Sequence, residues 1–417
     1  MKGIFVFCYF VWGLAIATAE ETWVSGNSCE KRAMENSLRC LQTIRGDQER
    51  IANTQSWVAE NLAYLGQDQT AFALLRSSQP HYHLPSGCVD TAMVLLGKDQ
   101  RNAVTQFIGL ALDLLPFAVG RGAELVQFKI LRMATVIDDS VAIRRAWESE
   151  KLTHTDFRRA YQAFQQDWKP HFWNTLLDRL FPQRQWRKLK DHASRDEEID
   201  WMAERTVDNF SALLFIREAE ARVRAHQSYP ASWIVFVEAG IRAPSINTRP
   251  ATLSAEFAEL ALLEGRKDSA LACVETAWKL LSGWGPHMSG VYRTERDLAL
   301  ILARIPEAKD KTSEAGERLL KRAEILCNNL DPYEQLLQLP LLAEGLQGLG
   351  KMDQAENLWK KSADLCAKNL NPESQSIGLT RLWMSYARAK VWPKKETQEL
   401  LIRTEKLLPQ AYSKVNF

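Results

Sequence analysis

The chain has 417 residues, with 53 Lys and Arg against 51 Asp and Glu, 46% hydrophobic residues and 25% charged ones. Those fractions exclude a disordered, a collagen-like and a multi-span membrane chain. A formal charge of +2 excludes the strong basic field of a general nucleic-acid binder.

Residues 1–19, MKGIFVFCYFVWGLAIATA, read as an export signal. Lys2 is the basic start, Ile4 to Ile16 the short apolar core, and Ala17-Thr18-Ala19 the small-x-small cleavage site. The apolar run is shorter than the ~20 residues a spanning helix needs. Cleavage leaves 417 − 19 = 398 residues beginning at Glu20, with 52 basic and 51 acidic side chains once Lys2 is gone. The expected location is a bacterial periplasm or the extracellular space. Six cysteines remain in that chain: Cys29, Cys40, Cys88, Cys273, Cys327 and Cys366. An even count after export permits disulfides. Cys29 and Cys40 lie about 16 Å apart along one helix, too far to bond. Cys40–Cys88 stays open, and buried thiols are the favoured reading.

Residues 20–115 read as N-terminal helical hairpins. Over the full chain only 20 Gly and 15 Pro interrupt a sequence rich in good helix formers. Ala59, Leu62, Gly66, Ala71, Leu75 and Ser78 follow a small, large, Gly, small, large, small spacing. A looser unit has Gly97, Ala103, Phe107 and Leu110 with one extra loop residue. His81-Tyr82-His83 with Cys88 gives H-x-H-x4-C, which lacks a further nearby ligand for a metal. It reads as a loop between Pro80 and Pro85.

Residues 116–245 form an irregular, Trp-rich helical section between the seams Leu115-Pro116 and Ser228-Tyr229-Pro230. Residues 157–192 carry eight Lys or Arg against three Asp. Two readings apply. Trp168, Trp173, Arg184, Trp186, Arg187, Lys188 and Lys190 form a surface for a polyanion, a lipid headgroup or a glycan. Alternatively, the aromatics pack non-repetitive helices and the basic residues lie on their solvated face. Trp233 to Val237 is a continuous apolar run, read as well as a buried helix as a strand.

Residues 246–417 hold the clearest repeat. Residues 323–332 (AEILCNNLDP) and 363–372 (ADLCAKNLNP) align at an offset of 40 without a gap. Asp331 and Asn371 are expected N-caps, with Pro332 and Pro372 at the first helical position, where no N–H is needed. The small/large/Gly spacing returns twice, as Ala258, Ala261, Gly265, Ala270, Val274 and Ala277, and as Ala343, Leu346, Gly350, Ala355, Trp359 and Ser362.

This pattern resembles the tetratricopeptide repeat (TPR) over roughly residues 50–110 and 250–410. The resemblance implies an all-α solenoid of stacked antiparallel helix pairs, with the irregular section in its middle. In the family, small residues let two helices approach, Gly makes their turn and a large residue fills the gap between repeats. The C-terminal spacing of 40–45 residues exceeds the ~34 of a standard TPR, and HEAT-type repeats share the longer period. Hairpins that cannot bury both faces alone must stack on neighbours.

None of the phosphate-loop, zincin, nucleophile-elbow, dinucleotide, C-x-x-C or EF-hand motifs occurs. No catalytic residue, metal or cofactor is therefore assigned. The expectation is a non-catalytic exported scaffold that binds a protein or peptide, with no role for nucleic acid. The alternatives are an enzyme or glycan-processing site in the central aromatic section, or an envelope-surface binder using its basic stretch. In TPR-like pairs the first helix lines the inner face, which places Glu259, Glu344 and Gln347 there as candidate partner-reading residues.

Overall fold

The computed structural model describes residues 28–44, 46–118, 120–148, 209–229, 231–242, 249–285, 288–369 and 371–408. The expected signal at 1–19 and the stretch at 157–192, with all seven of its singled-out residues, lie outside them. Among the described residues there are 17 α-helices, one 3-10 turn (Leu115–Phe117) and no strand. In chain order they are α1 (Cys29–Thr43), α2 (Gln48–Tyr64), α3 (Asp68–Ser77), α4 (Leu84–Leu96), α5 (Arg101–Leu114), α6 (Gly120–Val136) and α7 (Ser140–Glu148). Then follow α8 (Asn209–Arg224), α9 (Ala231–Arg242), α10 (Arg249–Leu263), α11 (Lys267–Leu281) and α12 (Ser289–Leu302). The last are α13 (Lys309–Asn329), α14 (Pro332–Gly348), α15 (Met352–Lys368), α16 (Pro372–Ala389) and α17 (Lys395–Leu407). The run Trp233–Val237 is helical, inside α9. None of these helices is long and apolar enough to cross a membrane.

The helices begin and end where local chemistry places the boundaries. The Asp331 carboxylate accepts from the N–H of Tyr333 (2.8 Å) and Glu334 (3.0 Å), and Asn371 accepts from that of Glu373 (2.9 Å). Each satisfies free donors of the first turn, with proline just behind it. Gly66, Gly265 and Gly350 have φ of 79°, 75° and 77°. At each, the glycine N–H and the next N–H fold back on the last carbonyls of the helix, for example Gly350 to Gln347 and Lys351 to Leu346. This is a Schellman turn, and the left-handed conformation it needs suits Gly.

The same turn also appears where the sequence shows no glycine. Asp138 and His226 have φ of 63° and 56°, and the N–H groups of Asp139 and Gln227 reach Ala134 and Arg222 in the same pattern. In the looser N-terminal unit Asp99, not Gly97, takes the positive φ. A left-handed non-glycine residue costs about 1–2 kcal/mol. His226 is exposed, so His226→Gly should stabilise by about 0.5–1 kcal/mol. The check is a raised urea midpoint with an unchanged m value.

The chain divides into two compact units, Met1–Leu95 with Leu281–Phe417, and Leu96–Leu280. In the first, α12 packs on α14 and α14 on α16, while α13, α15 and α17 pack beside them. The motif residues Ala343, Leu346, Ala355, Trp359 and Ser362 are all buried in that packing. Helix α1 lies along α16 in the most extensive helix pair among the described residues, and α2 packs on α1 and α3. The Cys29 thiol donates to the Val391 carbonyl at 3.3 Å, and Arg32 pairs with Glu405 at 2.7 Å. α4 packs on α2, since a Cβ at Gly87 would lie 2.1 Å from Ser56 Oγ.

In the second unit α8 packs on α6, α9 and α10. Trp233 is buried against Phe215 (5.4 Å between centroids), with the Arg222 guanidinium 5.1 Å from its ring. The six described cysteines are free thiols, four of them buried. Burial pushes Cys40 up to about 11 and Cys366 up to about 12, so neither is thiolate at neutral pH.

Candidate binding surface

Four helices of the first unit bring polar side chains to one place. Arg293 and Arg296 lie one turn apart on α12, Glu344 and Gln347 one turn apart on α14. Arg381 and Arg388 are seven apart on α16, as are Trp57 and Tyr64 on α2. Spacings of three, four and seven keep each pair on one helical face.

The two seven-residue ladders face each other. The Arg381 guanidinium lies 5.2 Å from the Trp57 ring and that of Arg388 lies 4.6 Å from Tyr64. A further rung, Arg50 to Glu373, continues the ladder in the same sense. Both helices pack on α1, so cation–π contacts and one ion pair bridge their facing sides.

Glu344 is the only carboxylate drawn into the centre of this group from α14, and it is 3% exposed. Its Oε2 accepts from Arg296 Nη1 at 3.2 Å, while Arg388 Nη1 stands 3.7 Å from Oε1. Arg296 also donates to Asp297, from Nε at 2.8 Å and Nη2 at 2.6 Å. Burial opposes the charge of Arg296, but Asp297 and Glu344 outweigh it and raise its pKa. The two α16 arginines differ. Burial, aided by Arg388, pushes Arg381 down to about 10. Burial, aided by Arg296, lowers Arg388 as well.

The sequence reading places Glu259, Glu344 and Gln347 on an inner face as candidate partner-reading residues. Glu344 is instead enclosed, because α12 and α16 flank α14 and send arginines over it. Gln347 is half-buried on α14, and Glu259 is half-buried on α10 in the other unit. The face around Glu344 is therefore cationic, not acidic. Arg296, Arg381 and Arg388 are the residues the sequence reading missed. The i, i+7 spacing of Arg381 and Arg388 on α16 was the available signal.

The second unit has its own charged interior. Glu218 and Glu220 on α8 are both fully buried. Glu218 accepts from Arg101 and Arg222, each at 2.8 Å, and Glu220 from Arg217 at 2.9 Å. Arg217 continues to Glu256 at 2.7 Å. These pairs tie α8 to α5 and α10, while Glu218 Oε2 and Glu220 Oε1 stay buried without a hydrogen-bond partner among the described residues. Burial pushes Glu220 up to about 7, with Glu256 adding to the rise against the pull of Arg217. A carboxyl whose pKa is raised on folding favours the native state at low pH, and that contribution is lost as pH rises from about 4.5 through 7. Glu220→Gln should therefore raise the melting temperature at pH 8 and give no gain at pH 4.5. Parallel melts at the two pH values check this.

His83 Nε2 meets Glu49 at 3.1 Å and its ring stacks on His81, while Cys88 is buried. Among the described residues no three His, Cys, Asp or Glu side chains are grouped to hold a metal ion. No protein-family model, curated protein or solved structure matches the chain.

Proposed function

We propose that this protein is an exported, non-catalytic scaffold of TPR-like helix pairs that binds a protein or peptide partner through the helical face around Glu344. The small/large/Gly pattern supports the repeat reading: its alanines, large residues and serines are buried in all three occurrences, and each glycine makes the same left-handed turn. The side-by-side packing of α12, α14 and α16 supports a shared binding face, since stacked first helices present a continuous row of side chains to a ligand. The single observation that carries the binding reading is the arginine cluster on that row, where charge is held without a full set of internal partners.

The test has two arms. Intact mass of the exported protein should correspond to a chain starting at Glu20. A photo-crosslinker placed at Gln347 should then capture one partner from the native envelope fraction, and a crosslinker at exposed Lys360 on α15 should not. Equal capture from both positions would remove this face as the binding surface.

A further inference from the structure

The arginine cluster contains more positive charge than its own carboxylates answer. Arg296 is fully paired, to Asp297 and Glu344. Arg388 has only Glu344 at 3.7 Å, beyond hydrogen-bond reach, and its Nε is buried without an acceptor. Arg381 has no ion pair among the described residues, and its Nε is also buried without an acceptor. Its neighbours are the Trp57 ring, Glu344, Glu60 and the like charges of Arg388 and Arg293. Arg293 is 62% exposed and reaches Asp297 only at 4.0 Å.

Holding a guanidinium out of water without a carboxylate is costly. A position serving the fold alone is as well filled by Met or Leu, which remove that cost. The rings of Trp57 and Tyr64 instead hold Arg381 and Arg388 in place from one side. A guanidinium stacked on a ring keeps its N–H edge available for a planar acceptor, and that edge matches a carboxylate bidentately. Tyr64, beside Arg388, is 44% exposed, so this edge of the cluster borders the surface.

We infer that Arg381, Arg388 and Arg293 form a receptor for acidic side chains on a segment of the partner protein. The inference rests on the scaffold reading and names the chemistry its partner must offer. The charge balance favours an acidic peptide over a polyanion. Glu344, Asp297 and Glu60 stand against Arg293, Arg296, Arg381 and Arg388, leaving one positive charge for a carboxylate. A nucleic acid or sulfated glycan needs a long basic track, and the chain's formal charge is only +2.

The probe is a fluorescein-labelled ten-residue peptide with four glutamates, compared with the same peptide carrying glutamines. Binding to the mature protein is read by anisotropy in 50 mM NaCl. The glutamate peptide should bind at least ten-fold more tightly, and Arg381→Met should abolish that preference while leaving the melting temperature at or above wild type. Arg388→Lys, which keeps the charge but loses the planar fork, should reduce the preference several-fold. Equal affinity for the two peptides overturns the receptor. So does an Arg381→Met protein that melts well below wild type, since Arg381 then serves the fold. Full displacement of the peptide by 10 mM sodium phosphate assigns the site to small anions instead and overturns the peptide reading. If the Gln347 crosslinker still captures its partner from Arg381→Met, the scaffold reading stands and the receptor falls. If the glutamate preference holds but no partner is captured, the receptor stands and the scaffold reading falls.

Discussion

Glu344→Lys is expected to destabilise the protein by about 3–5 kcal/mol, the scale of removing one partner from a buried ion pair. Arg296 would keep Asp297, but Arg388 would lose its only carboxylate among the described residues, and a fourth cation would enter beside Arg296, Arg381 and Arg388. In a unit of this size the expected fall in Tm is roughly 10 °C. Glu344→Gln, which keeps the shape and one acceptor, should lie between wild type and Lys. A charge reversal at Glu259, half-buried in the other unit, is expected to cost far less. Thermal melts of the two single reversals separate the positions. A Glu344→Lys protein melting like wild type would show that the carboxylate does not neutralise the arginines.

Trp359→Ala should also cost about 3–5 kcal/mol, the usual range for deleting a buried large aromatic. Trp359 is 1% exposed and lies 4.4 Å from Tyr386 between centroids. Its Nε1–H donates to Ser385 Oγ at 2.8 Å, and Ser385 donates to the Pro340 carbonyl at 2.9 Å. Pro340 sits inside α14 and has no N–H for the Leu336 carbonyl one turn back. Ser362 supplies the missing donor at 3.2 Å. The side chains around Trp359 thus repair the break that the proline makes in α14. Trp359→Phe retains most of the packing and loses the N–H, so it should cost less than half as much as Ala. Urea unfolding of the three proteins gives the comparison, and equal costs for Phe and Ala would assign the effect to the hydrogen bond, not to volume.

The features legible in the sequence are those decided within a few residues. A helix start at Asp331-Pro332 or Asn371-Pro372 depends on one side-chain oxygen and one fixed φ. A turn at Gly66, Gly265 or Gly350 depends on one residue that tolerates positive φ. The small and large positions around those turns could be read as buried because helical spacing places them on one stripe. Turns at Asp138 and His226 escaped that reading because residues without a glycine's freedom adopt the same φ at a modest cost.

Which stripe meets which was decided only by the tertiary structure. Cys40 lies 3.1 Å from Ser376 and 3.2 Å from Thr380, across more than 330 residues of sequence. Nothing local to α1 specifies that its small, buried face belongs against α16. Glu344 shows the same limit at a single residue. Its spacing on α14 marks it as a polar position on an apolar helix. Whether that position meets water or arginine depends on side chains 48 residues before it and 44 after it, at Arg296 and Arg388. Local propensity acts through the backbone of one turn, whereas burial and charge pairing depend on which distant helices become neighbours. The sequence alone therefore determined helix starts such as Asp331 and Asn371 and the turns at glycine, and the tertiary packing enclosed Glu344 among arginines.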